Sequence, residues 1–145
     1  LDLVPVAVRR NDAGRVGSLT LDVAALPTET QRAAELGSEA ACPLPDQWQA
    51  MQVFDVLAHN DARTPETMRY GPADLSLVLA DNEDLFGTAT DVPDYLRRTS
   101  IEVSAYLAER LRMLDEPALA RSVGDVLDEP RRAALLARRD RLLAR

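Results

Sequence analysis

The side chains able to do chemistry gather in one stretch of this chain. His59, Asp61, Arg63, Glu66 and Thr67 lie within nine residues, and Asp81 follows after two short apolar runs. Carboxylates there can accept a proton or hold a hard cation, and an arginine can grip phosphate or carboxylate. Several chemistries are excluded at once. His59 is the only histidine, so no histidine zinc triad can form. Cys42 is the only cysteine, which rules out a disulfide framework and a Cys-based zinc site. All 17 basic residues are arginine, so no Schiff-base, P-loop or nucleotide-binding lysine comes from this chain. Asp81-Asn82-Glu83-Asp84 suggests a calcium loop, but Phe86 stands at the required glycine and Val92 at the required bidentate glutamate. The G-x-S-x-G, G-x-G-x-x-G and C-x-x-C patterns are absent. For His59 the plain expectation is a helix-terminal imidazole making one backbone hydrogen bond. The arginine pairs at 9–10, 97–98, 131–132 and 138–139 are most simply solvated surface.

These residues need elements to position them. LVPVAV over 3–8 reads as a strand, and 16–23 alternates with Leu19, Leu21 and Val23 on one face. Asn11-Asp12-Ala13-Gly14 supplies the turn of a hairpin. Thr28 with Gln31 is a capping box, and Gly37 a stop for a short helix. Asp46 with Gln49 suggests another cap, opening an amphipathic helix through Trp48, Met51, Phe54 and residues 56–58. That pattern breaks at His59, and 60–67 is a polar loop. Residues 67–70 and 75–80 read as strands joined by a Gly71-Pro72 turn, and 81–94 as an acidic irregular stretch. Ser100 is a candidate cap for a helix carrying Val103, Leu107, Leu111 and Leu114. Asp115 with Pro117, and Asp128 with Pro130, open two more; Leu135, Leu136, Leu142 and Leu143 mark the buried face of the last.

Composition agrees with a globular α+β chain that is mostly helical. Of its 145 residues, 46% are hydrophobic and 28% charged, and the net charge is −7. The charge is uneven: residues 131–145 carry six Arg against Asp140 alone, while the rest is strongly acidic. An acidic body argues against nucleic acid and anionic membrane as partners. No apolar run is long enough to span a bilayer, and a cytoplasmic location is the expectation. The chain opens at Leu1 without Met, as an excerpt would.

The order of apolar helix, polar loop, hairpin and aspartate is that of the catalytic loop and metal-binding Asp in protein-kinase-like folds. The segment QVFDVLAHNDARTPETMRYGPADLSLVLADNEDLF (52–86) resembles the catalytic segment of the bacterial phosphatidylinositol 3-/4-kinase-like family. That family reads F-D-x-L-x-x-N-x-D-R-N-x-x-N, then a hairpin, then L-I-D-H. VPVAVRRNDAGRVGSLTLDV is similar to its hinge strand and the strand that follows. LRMLDEPALARSVGDVL and RRAALLARRDRLL are similar to its closing helices.

The resemblance spans nearly the whole chain and implies the C-terminal lobe of a kinase-like fold, as one domain. Residues 1–26 would form the hinge strand and hairpin, 46–94 the catalytic-loop-like segment and 95–145 the closing helices. Asn60 and Arg63 match the family's Asn and Arg, Ala62 falls on its catalytic Asp, Thr67 on its metal-binding Asn, and Asp81 on its second metal-binding Asp. A one-residue shift would instead put Asp61 in the catalytic role and Glu66 in the metal role. The resemblance thus implies Asp61 and Arg63 as candidate catalytic residues, Asp81 and Thr67 as cofactor-binding, and Asp81 and Glu66 as metal ligands. Any binding of Mg2+ and ATP is expected to be weak. The chain by itself is expected not to be an active enzyme but a pseudokinase-like binding or regulatory module. The alternatives are an ATP-dependent phosphotransferase needing a missing N-terminal lobe, and a purely structural interaction domain. The implied partner is that lobe or another polypeptide, with self-association through an apolar edge at 3–8 and 16–23.

Overall fold

The computed structural model describes residues 22–82 and 84–144 in full and the backbone of 2–3, 10–12 and 15–17. The chain has a mostly helical α+β fold and divides into two compact units. Residues 1–47 and 64–81 make the first, 48–63 and 82–145 the second, so the 46–94 segment contributes to both.

In the first unit, β1 (Asp2–Leu3), β4 (Met68–Tyr70) and β5 (Leu77–Leu79) form a sheet in the order β1-β5-β4. β1 runs parallel to β5, and β4 antiparallel to it with Met68 opposite Leu79 and Tyr70 opposite Leu77. Met68, Tyr70, Leu77 and Leu79 are buried while Arg69 and Val78 between them are partly exposed, the period-two pattern of a one-sided sheet. β2 (Arg10–Asp12) and β3 (Arg15–Gly17) pair antiparallel in a separate two-stranded sheet, with Asp12 opposite Arg15.

α1 (Glu29–Gln31) opens on the Thr28–Gln31 capping box and continues as a π-turn over Arg32–Leu36 to Gly37. Gly37 has φ +70°, the conformation in which a side chain is disfavoured. Arg32 is buried, bonded to Glu29 and lying 5.5 Å over the Tyr70 ring. The Gln47 amide staples the turn before β5: Nε2 donates to the carbonyls of Cys42 and Leu75, and Oε1 accepts from the Leu77 N–H.

α2 (Leu44–Ala58) runs from the first unit into the second. In the second unit, α3 (Ala105–Arg112) and α4 (Glu116–Val123) pack on α5 (Glu129–Leu143). Val53 and Val56 of α2 join Leu96, Ile101, Leu111 and Leu142 in its core. Asp115 and Asp128 cap α4 and α5 through Ala118 and Arg131 N–H, each with proline in the first turn where no donor is lost.

Four expectations need correction. α2 starts at Leu44, because the Pro43 carbonyl already accepts from the Asp46 and Gln47 N–H groups; Asp46 sits inside the first turn. α3 is capped by Ser104 rather than Ser100, since the core draws Ile101 inward while 101–104 remain non-helical. The strand expected to run to Val23 leaves that residue in a loop, with 18–21 outside the described residues. Arg138, read as solvated, is fully buried in α5. The proposed apolar edge at 3–8 and 16–23 falls largely outside the described residues.

Candidate functional site

The polar loop that follows α2 is built around one buried carboxylate. Asp55 has no exposed surface, yet sits on the helix between Phe54 and the core residue Val56. Such a charge is tolerated only when its lone pairs are taken. Arg63 supplies two bonds, Nε to Oδ2 at 2.9 Å and Nη2 to Oδ1 at 3.0 Å. Asn60 Nδ2 donates to Oδ1 at 3.2 Å and the Tyr95 hydroxyl to Oδ2 at 2.5 Å. Burial first, and then the Asp55 charge, raise the Tyr95 phenol well above its ordinary range. Arg63 also donates to Asn82 Oδ1 at 2.9 Å, and Asn60 Oδ1 accepts from the Ala62 N–H at 3.0 Å. The network thereby fixes the path of residues 60–63 and leaves the Asp61 and Ala62 side chains outside it.

His59 makes the turn into this loop with φ +56°, an uncommon conformation for a residue with a side chain. Its imidazole lies between carboxylates rather than on the backbone partner expected. Nε2 is 3.3 Å from Asp91 Oδ1 and Nδ1 is 3.7 Å from Asp61 Oδ2. The other oxygen of Asp61 accepts from the Asp94 N–H at 2.7 Å. Arg97 bridges Asp91 and Asp94. A hydrogen bond from its own backbone, and then the one from His59, hold the Asp91 carboxyl below its ordinary range.

Arg138 secures the neighbouring segment from beneath. Its Nε donates to the Leu57 carbonyl at 2.9 Å, and its Nη1 to the carbonyls of Gly87 and Ala89. The Phe86 N–H adds a bond to the Ala58 carbonyl at 2.7 Å. Desolvation lowers the guanidinium below its ordinary range, and Nη2 has no hydrogen-bond partner among the described residues.

The remaining candidates belong to the first unit. Glu66 is exposed and accepts from the Thr30 hydroxyl at 3.5 Å. The Thr67 hydroxyl closes a local turn, accepting from the Thr64 N–H at 3.0 Å and donating to the Thr64 carbonyl at 3.1 Å. Asp81 follows β5 as an exposed residue with φ +52°. Asp61 and Arg63 lie in the second unit.

Among the described residues the candidates do not form a complete protein cage for a divalent cation, which leaves single carboxylates that could act only together with phosphate oxygens. Thr67 is engaged in its turn, and the described residues contain no group of three or more His, Cys, Asp or Glu able to hold a metal.

Sequence reasoning does not reach the roles that Asp55, Asn82, Tyr95 and Arg138 play here. Asp55 had a legible signal: an acid between apolar helical residues, eight positions before an arginine, invites a buried pair. Tyr95 and Arg138 had none, because their partners are remote along the chain. Comparison with protein-family models, curated proteins and solved structures finds no match.

Proposed function

We propose that this chain is a catalytically degenerate, phosphatidylinositol-kinase-like module with a binding or regulatory role. The observation that carries the reading is the Asp55–Asn60–Arg63–Asn82–Tyr95 network beneath a loop whose position 62 bears only a methyl group. Burying a charge pair is costly unless its geometry is well satisfied, and this one holds a short loop in a defined path. The partners Asn60 and Arg63 are the residues that match the family's Asn and Arg, which favours the register placing Ala62 at the proton acceptor. Alanine accepts no proton. Asp61, the acceptor of the shifted register, gives one oxygen to the Asp94 N–H. Asp81 keeps its place in the reading by position, as an exposed acid directly after β5 in the first unit.

In this reading the partner is an N-terminal lobe or another polypeptide, and the acidic body disfavours nucleic acid. Among the described residues no helix is long and apolar enough to cross a membrane. Nucleotide titration of the chain followed by NMR tests the proposal, alongside an assay with radiolabelled ATP. The expected result is no phosphoryl transfer, with a weak response to Mg2+-ATP that Asp81→Ala removes without loss of fold. Identical responses in wild type and variant would make Asp81 an ordinary surface acid and favour a structural domain. Transfer abolished by Asp61→Asn would establish the phosphotransferase alternative.

A further inference from the structure

His59 is flanked by carboxylates on both ring nitrogens, and the carboxylates come from different segments. Asp61 faces Nδ1 from within the loop, and Asp91 faces Nε2 from the acidic stretch. Only an imidazolium carries N–H on both nitrogens. A neutral ring must turn one lone pair toward a carboxylate oxygen, which is repulsive. With N–H on both nitrogens the ring can meet both carboxylates, and with a single N–H it can meet only one. The contact to go is that with Asp61, the longer at 3.7 Å, because a neutral ring protonated at Nε2 keeps Asp91 at 3.3 Å.

Each neighbour reinforces this asymmetry. Asp91 is anchored in either state, since Arg97 Nη2 reaches its second oxygen at 3.2 Å and the buried Arg138 guanidinium attracts it through space. Asp94 is tied to Arg97 at 2.6 Å, and its N–H donates to Asp61 at 2.7 Å. Pro93 and Leu96 are buried, so the segment stays in place while the side chains above it rearrange. Among the described residues Asp61 pairs with His59 alone, whereas Asp91 pairs with Arg97 as well, so the Asp61 oxygen facing the ring is the one with no second cation to hold it.

We propose that His59 is a proton-operated latch on Asp61: the imidazolium holds the Asp61 carboxylate against the loop, and deprotonation releases one of its oxygens to solvent. The released carboxylate retains the Asp94 N–H on its other oxygen, so it changes partner without unfolding the loop. The device rests on the loop's own contacts and stands whether or not the kinase-like reading holds. It makes Asp61 available as an acceptor on the alkaline side of the imidazole titration and withholds it on the acid side.

With one histidine in the chain, the ring can be followed without assignment ambiguity. The test is an NMR titration of the intact chain from about pH 5 to 8, the range in which imidazoles change charge. It would follow the His59 ring protons, the Asp61 side-chain carbonyl carbon and the Asp94 amide. The expected result is a common midpoint for all three. In Asp91→Asn that midpoint moves to lower pH, because an anion favouring the imidazolium is gone. In His59→Gln the Asp61 and Asp94 signals stay flat over the range. If the ring titrates while Asp61 and Asp94 remain flat in wild type, or if both still titrate in His59→Gln, the latch does not exist. Asp91→Asn retains the loop's backbone and Asp55 contacts, so an unshifted midpoint there also overturns the proposal even if His59→Gln fails to fold.

Discussion

Asp55 and Arg63 are each worth more as partners than as separate charges. Their guanidinium–carboxylate pair is bidentate and sealed from solvent, with Asn60 and Tyr95 occupying the remaining acceptor sites of Asp55. Removing only the cation leaves a buried carboxylate uncompensated, which costs about 3–5 kcal/mol in such settings. Arg63→Met is therefore expected to lower unfolding stability by about that amount, measured by urea titration. The pair Asp55→Leu, Arg63→Met should lose less than the single change, since no charge is stranded. If the single substitution costs under about 1 kcal/mol, in the range of an exposed pair, the network does not hold the loop. Arg138 presents the opposite case at the same scale. It is a buried cation bonded to carbonyls, and the acid that influences it, Asp91, acts through space.

The elements are bounded by local hydrogen bonds, and these make a sharp test. Ser104 accepts from the Leu107 N–H and starts α3, whereas Ser100 is exposed and precedes the non-helical run in which Ile101 is buried. Ser104→Ala should destabilise the protein by about 1 kcal/mol, as loss of an N-cap does. Ser100→Ala should stay within about 0.5 kcal/mol of wild type, the range of surface substitutions away from such features. Thermal unfolding of the two variants side by side measures the difference. Equal effects would mean that α3 begins earlier than Ala105.

For the whole molecule the ionisable groups set a stability window in pH. Glu29 is held below its ordinary range chiefly by Arg32, Asp74 by Ser76, and Asp91 by its own backbone and His59. A carboxylate depressed in the folded state binds protons more readily when unfolded. Its contribution is thus present above the unfolded value, about 4 for Asp and Glu, and is lost as pH falls through the lower folded value. Tyr95 works in the other direction. Its phenol is raised by burial and by Asp55, so its contribution is complete below the unfolded value, about 10, and declines above it as the unfolded chain ionises first. Denaturation midpoints measured across pH should fall at both ends. Tyr95→Phe should flatten the alkaline limb and leave the acid limb intact. An unchanged alkaline slope in that variant would show that the Tyr95–Asp55 bond does not couple to folding.

The sequence by itself determined the α+β class, the order of most elements and several of their ends. The Thr28–Gln31 box, the Asp115 and Asp128 caps and the Gly37 stop were legible because each is decided by residues within a few positions. The β4–β5 hairpin was legible for the same reason, its turn residues lying between two alternating runs. Only tertiary structure decided the fate of the charges. Asp55 meets Tyr95 across 40 positions and Arg138 meets Leu57 across 81, so no local pattern could distinguish these buried groups from solvated ones. Asp61 and Ala62 show the same division within two adjacent residues. Their types, one a carboxylate and one a methyl group, were plain from the sequence, but the loop that turns both outward is fixed by the buried carboxylate of Asp55, because a desolvated charge must bring its partners to itself.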